Sequence, residues 1–541
     1  MTADLDTRAV ELYAPMGEVL PFRRRGGDGA VEGDGDASRS LSEAAVVDGF
    51  ASSRAQFESL VRFLDGTDAA GLDHAGLEER LDRDGRELLR RLLDDHLALR
   101  AVREQRLESV VGDDEVTRGR VEHDHRRVLG TVFGKVTVSR MAYRTPGRGN
   151  LHPADAGLNL PVERHSHGLR KLAALEAARG SFQDAVDGIE RACGQQLAKR
   201  QVEELAQIAA VDFEDFYEER RPARSKPGDL LVISADGKGI VMRPDALRPK
   251  AAAARGRPGP KHPKTRLASA EKSNYKRMAE IGAVYDATPV PRTRADIIAS
   301  DEDAERDPAR GPVATNKWLT ASIVKDAGTV IEQVLDEADR RDPKHQRAWV
   351  ALVDGNNHQI QRIKAGAKAR KVKITIVVDF VHVLEYLWNA TWCFHAARDP
   401  AAEKWVHRQA TAVLEGRARQ VAGIIRRKAT HARLDPVNRK IAEEAATYLT
   451  RKAAYLDYPT ALEQGWPIAT GIIEGACRHI VKDRMDLTGA RWGLTGAEAI
   501  LKLRAIKTNG DFNDYWHYHL EQERQHVHEA RYHNHVIPQA A

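Results

Sequence analysis

The chain is poor in cysteine: Cys193, Cys393 and Cys477 are the only three in 541 residues, far apart and odd in number. That excludes a disulfide framework and a four-cysteine zinc ribbon, and a reducing cytoplasm fits it best. No run of about 18 apolar residues occurs, so no membrane-spanning helix is expected. The first residues, MTADLDTRAVELYAP, begin with acids and lack the apolar segment of a secretory signal. Aromatic residues make up only 6%, yet 42% of the chain is apolar, ample for several cores. A wholly disordered chain is thereby excluded. At about 100–200 residues per domain, the length suggests three or four domains.

Charge is nearly balanced in total, +5, but unevenly placed. Residues 1–100 hold 21 acids and 13 bases, whereas the other 441 hold 58 acids and 71 bases. An acidic N-terminal part joined to a basic body points to a polyanionic partner for the body.

Composition and periodicity divide the chain. Residues 1–45 read as a flexible acidic N-terminus, Gly- and charge-rich over 23–39. Over 46–118, Leu60, Phe63 and Leu64, then Leu88, Leu89, Leu92 and Leu93, recur at helical spacing and predict a small helical domain or dimerisation arm. Residues 127–144 alternate apolar and polar around Phe133-Gly134-Lys135, a β-hairpin signature. Between 168 and 218, a helix through Phe182, Ala185, Val186 and Ile189, a break at Gly194 and a second helix from about 198 outline a helix-turn-helix. The hairpin and this element together make 119–225 a candidate DNA-binding region. Strands are expected at 229–243, 276–288 and 347–356, a helix at about 317–340, and a strand passing into a helix over 372–388. That order describes a mixed α/β sheet. Residues 386–460 read as an all-helical insertion, with Trp388, Trp392 and Trp405 on apolar faces. The core pattern resumes over 461–510. The last segment, 511–541, holds six of the 21 histidines with little apolar periodicity and reads as a tail. No fixed ligand spacing marks a metal site there.

Four acids interrupt apolar stretches. Asp236 stands within LLVISADGKGI, Asp354 ends WVALVDGN, and Asp379 ends ITIVVDF. A charge in a buried strand is costly unless a cation or metal ion offsets it. Any one of the three also reads as the N-cap of a following helix. Three together, each near a strand end, suggest a shared crevice at one sheet edge. Glu474, in ATGIIEGACRHIVKDR, is the fourth; Gly471 and Gly475 beside it leave room for another backbone or a nucleic acid strand. Carboxylates gathered without cations repel each other. Mg²⁺ or Mn²⁺, which prefer oxygen ligands, removes that repulsion. Two such ions roughly 3.5–4 Å apart are the apparatus of phosphodiester cleavage and transfer.

The blocks ADGKG around Asp236, LVDGNNHQI around Asp354, VVDFVHVLEYLW over 377–388 and GIIEGACRHIVKDRMDLTGARWG over 471–493 occur in an order that resembles the ISKra-type bacterial insertion-sequence transposases, related to the Mutator-like group. The likeness covers about 120–510. It implies an α/β RNase H-like catalytic core with an inserted all-α subdomain, preceded by helical and β-hairpin/helix-turn-helix N-terminal domains. The core would run over 226–385, with a basic insert at 244–275, and resume at 461–510. The resemblance implies Asp236, Asp354 and Glu474 as catalytic, metal-holding acids with two Mg²⁺ or Mn²⁺ ions. Asp379 and His382 match the accompanying Asp-x-x-His element as supporting residues; spacing alone leaves Asp379 open as the middle acid. The implied activity is DNA strand cleavage and strand transfer at the ends of an insertion sequence. The implied partners are terminal repeats, target DNA and further copies of the chain, in the cytoplasm at the nucleoid. A metal nuclease without strand transfer and a non-enzymatic DNA-binding relative are the alternatives. No cysteine pair lies near the hairpin, so that region is expected to fold without zinc.

Basic stretches supply candidate DNA contacts. Residues 244–277 carry ten Lys/Arg and five prolines, with Arg255-Gly256-Arg257-Pro258 resembling the core of an AT-hook. Residues 362–373 hold six bases and no acid, among them Lys368, Arg370 and Lys371; residues 417–440 hold eight bases and one acid. Both suit phosphate contacts, though such runs are often only solvated faces. Arg478, Arg484, Arg491 and Trp492 follow Glu474 and are candidates to grip the scissile strand or stack on a flipped base.

Overall fold

The computed structural model describes residues 48–222, 225–226, 228–249, 276–299, 307–487 and 489–539. The 1–45 segment and most of the basic insert, with Arg255 and Arg257, lie outside the described residues.

Two helices, Ala51–Asp65 and His74–Arg103, form where the N-terminal leucine pattern predicts them. Asp73 caps the second, accepting Gly76 N–H at 2.8 Å. Leu97 packs into a small core with Leu129, Val136, Val138 and Leu160, whereas Leu64, Leu89 and Leu92 are exposed. A short pair, β1 (Val110–Val111) and β2 (Thr117–Arg118), precedes the hairpin of β3 (Arg120–Thr131) and β4 (Gly134–Arg144). The register Thr131↔Gly134 leaves Val132 and Phe133 as the turn, and Gly134 takes φ +130°, a value that favours glycine. Two helices, Phe182–Cys193 and Lys199–Ile208, form where the helix-turn-helix outline is expected, with Gly194 left-handed between them. Their inner faces belong to the same apolar core as the sheet, so this segment is packed into the body and not set apart from it.

Five strands make the central sheet: β5 (Leu230–Val241), β6 (Lys276–Ala287), β7 (Ala314–Ser322), β8 (Trp349–Val353) and β9 (Ile374–Val378). Their order is β7-β6-β5-β8-β9; β5, β6 and β7 are antiparallel neighbours, and β8 and β9 run parallel to β5. The parallel strands read as unbroken apolar runs because both faces are covered. Helix Ala327–Arg341 covers one face so closely that a Cβ at Gly282 would lie 2.4 Å from Val334. Asp236 pairs with Ile281, one residue from Gly282, so alternation turns it to the opposite face.

Two expectations are corrected here. The segment assigned to one helix at 317–340 contains β7 followed by Ala327–Arg341. Trp318 to Ile323 are all buried, and a strand covered on both faces has no period-two alternation to betray it. The 511–541 segment is not a tail: Phe512–Glu523 is a helix whose Tyr515 and Trp516 enter the main core, and Tyr532 packs with Val110, Tyr143 and Leu151. The segment is held to the body by Arg170, fully buried and ion-paired to Glu163 at 2.6 Å and to Glu523. Among the expected insertion helices, Phe380–Thr391, Pro400–Leu414, Ala418–His431 and Pro436–Lys452 all form. Trp405 is buried and Trp388 half-buried, but Trp392 is 48% exposed.

Candidate metal and catalytic site

The sheet register brings three of the acids into line. Ser234 pairs with Leu352, and continuing two residues sets Asp236 opposite Asp354. Val353 pairs with Val378, and one residue further sets Asp354 opposite Asp379, whose N–H donates to Val353 O at 2.9 Å. Adjacent strands lie roughly 4.8 Å apart, so the three aspartates form a row, with Asp354 and Asp379 just past the ends of β8 and β9 and Asp236 midway along the longer β5.

Each is held differently. Asp236 is half-buried; its Oδ1 accepts Gly237 N–H at 2.7 Å and its Oδ2 accepts the Cys477 thiol at 3.1 Å. Burial and the neighbouring carboxylate push the Cys477 thiol up, which keeps it a proton donor. Asp354 Oδ1 accepts Asn356 N–H at 2.7 Å, starting the turn into helix Asn357–Ala369. Its backbone carbonyl accepts the Tyr448 hydroxyl at 3.0 Å, and Tyr386 stacks on Tyr448 at 3.9 Å. Gly355 follows because φ is +95° and a Cβ there would meet the Tyr448 hydroxyl at 2.8 Å. Asp379 is fully buried: Oδ1 caps helix Phe380–Thr391 through Val381 N–H at 2.7 Å, and Oδ2 accepts the N–H of Thr470 at 3.2 Å and its hydroxyl.

A continuous helical segment completes the site by crossing above this row. It runs from Gly471–Ala476 into a π-helical stretch, Cys477–Lys482. Glu474 and Cys477, three residues apart, share a face. Glu474 stands over Asp379, with the Thr470 hydroxyl 3.2 Å from its Oε1, while Cys477 reaches Asp236. A Cβ at Gly471 or Gly475 would meet nothing within 4 Å, so the space beside Glu474 is open, as the glycines suggested.

Among the described residues, one group of possible metal donors is tight: Asp379, His382 and Glu474, each offering one atom within 4.8 Å of the others. Asp236 and Asp354 do not join a group this compact, so Asp379 and His382 sit closer to a ligand arrangement than their supporting place in the sequence reading. Burial opposes the charged form of His382, but its hydrogen bond to Glu385 at 3.0 Å and the charges of Asp379 and Asp354 outweigh that and raise its pKa. Thr470, Cys477 and Tyr448 were missed from sequence. Thr470, just before the helix carrying Glu474, gave the only local signal.

The candidate DNA contacts divide. Lys368, Lys371, Arg478 and Arg491 are exposed. Arg370 is committed elsewhere, to Glu332 at 2.7 Å, Asp339 at 2.8 Å and Asp336. Arg484 and Trp492 are corrected to structural roles. The buried Arg484 guanidinium lies 4.7 Å over the Trp492 ring and 5.1 Å over Phe182, and donates to Ala177 O at 2.9 Å. Trp492 is buried with its indole N–H on Met485 O at 3.0 Å, so its face is already covered. Among the described residues no helix is long and apolar enough to cross a membrane. No family model matches the chain, and no curated protein matches it.

Proposed function

We propose that the chain is a DDE transposase with an RNase H-like core, cutting and joining DNA at the ends of an insertion sequence. The observation that carries this is the row of Asp236, Asp354 and Asp379 across three adjacent strands, with Glu474 laid over it on a later helix. The sheet supports the fold reading: three antiparallel strands, then two parallel to the first, in the order 3-2-1-4-5. Five α-helices, the last of them Tyr458–Glu463, stand between the fifth strand and the helix bearing Glu474, as an all-α insertion would.

The donors fit hard divalent cations, since oxygen ligands dominate and the tight group includes Asp379 and Glu474. Asp236, Asp354 and Glu474, with Asp379 and His382 beside them, would hold two Mg²⁺ or Mn²⁺ ions. Those ions supply Lewis acidity toward the attacking and departing oxygens of an in-line displacement. Thr470 orients Asp379 and Cys477 orients Asp236, so the carboxylates are positioned before substrate arrives. Lys368, Lys371, Arg478 and Arg491 bind backbone phosphates. The protein works on the nucleoid as a homo-oligomer, because two element ends must be joined.

The test is strand cleavage and joining on labelled DNA carrying the element's terminal repeats. Wild type is expected to give joined products only with Mg²⁺ or Mn²⁺. Cleavage without joining would move the reading to a nuclease. No cleavage of any substrate, with DNA binding intact, would make it a non-enzymatic DNA-binding relative.

A further inference from the structure

Beside the acid row lies a groove that the catalytic reading leaves unused. It has a volume of about 310 Å³ and is lined by Gly237, Lys238 and Gly239 of β5, Lys276 and Met278 of β6, and Val481, Lys482, Met485 and Asp486 beyond Glu474. Lys238, Lys276 and Lys482 are all exposed, and among the described residues none has an ion-pair or hydrogen-bond partner. Asp486 is the one acid on the lining. Three unpaired ammonium groups around one concavity repel each other, an arrangement that an anion relieves.

Its position identifies the anion. The groove begins at Gly237, the residue after Asp236. Lys238 lies two residues beyond Asp236 on the same strand face, roughly 7 Å along β5. That is comparable to one phosphate-to-phosphate step of a nucleic acid strand. Lys482 projects from the same helical segment as Glu474 and Lys238 from the same strand as Asp236, while Lys276 starts the neighbouring strand β6.

We infer that Lys238, Lys276 and Lys482 hold a backbone phosphate of the DNA strand next to the scissile one, on the Asp236 side of the acid row. This rests on the functional reading above and adds to it the path of the substrate strand. Lysine suits the role, because a compact, mobile point charge holds a phosphate without reading sequence.

The test measures affinity of the full chain for a short duplex across a salt series, in EDTA so that no cleavage occurs. A triple variant, Lys238→Gln with Lys276→Gln and Lys482→Gln, is compared with an equal-charge control at scattered exposed lysines, Lys317→Gln with Lys344→Gln and Lys507→Gln. Each lost phosphate contact lowers the slope of log affinity against log salt by about 0.9. The groove triple is expected to lose about 0.9 in slope, one phosphate's worth, bind more weakly at every salt concentration and melt like wild type, with the control losing less than about 0.3. A groove triple no weaker than the control, while wild type still binds, overturns this inference alone. Absence of salt-dependent binding by wild type overturns it together with the functional reading.

Discussion

Glu474→Gln is expected to lower metal-dependent strand cleavage about a thousandfold, with the protein still folded and still bound to DNA. A thousandfold corresponds to about 4 kcal/mol of transition-state stabilisation. That is of the order lost when one preorganised electrostatic group is removed from an active site. Glu474 is exposed and, among the described residues, its side chain's hydrogen-bond partner is the Thr470 hydroxyl, so the amide fits without disturbing the core. An exposed helical glutamate with no catalytic task would change stability by no more than about 0.5 kcal/mol and leave cleavage unaltered. Cleavage and melting, measured on the same preparation, separate the two. A fall in cleavage below tenfold would remove Glu474 from the site.

The second large effect lies at the other end of the sheet. Arg347→Ala is expected to destabilise the fold by about 3 kcal/mol, because it takes the nearest cation from the buried Asp286 and leaves it Arg341 at 4.0 Å with Ser225 and Asn316. The Arg347 guanidinium donates to Asp286 Oδ1 at 2.6 Å, Leu230 O at 2.6 Å, Ser225 Oγ at 2.9 Å and Asp229 O at 3.0 Å. Asp286 is fully buried near the end of β6, and Leu230 begins β5. One side chain thus ties the starts of β5 and β8 to the end of β6, at the edge opposite the acid row. Denaturant unfolding is expected to show the loss. The double variant Arg347→Met with Asp286→Leu should recover most of it, since it removes both charges together. A single variant as stable as wild type would mean that the network contributes nothing.

What was legible in the sequence follows from physics that acts locally. Asp236, Asp354 and Asp379 each break an apolar run, and that conflict is visible in a few residues. Their alignment across three strands depends on register, which one parallel pairing sets across 118 residues, Leu231 to Trp349, and the other across 25, Trp349 to Ile374. The Thr470 and Cys477 contacts link positions 91 and 241 residues apart, and beyond the place of Thr470 just before the Glu474 helix nothing local announces them. Proximity in sequence misled in the other direction. Arg484 and Trp492 follow Glu474 closely, yet they stack on each other inside the core. The C-terminal helix was hidden by composition: its inward face is Phe512, Tyr515, Trp516 and His519 rather than leucines, and its histidines drew attention to solvent and metals.

The central claim is that the acid row and Glu474 form one divalent-metal site. Anomalous diffraction from crystals of the full chain soaked in Mn²⁺ tests it most directly. The account predicts manganese scattering at the carboxylates of Asp379 and Glu474 and along the row toward Asp236, and its loss from the Glu474 side in Glu474→Gln. Manganese absent from this row, or found only on scattered surface acids, would contradict it.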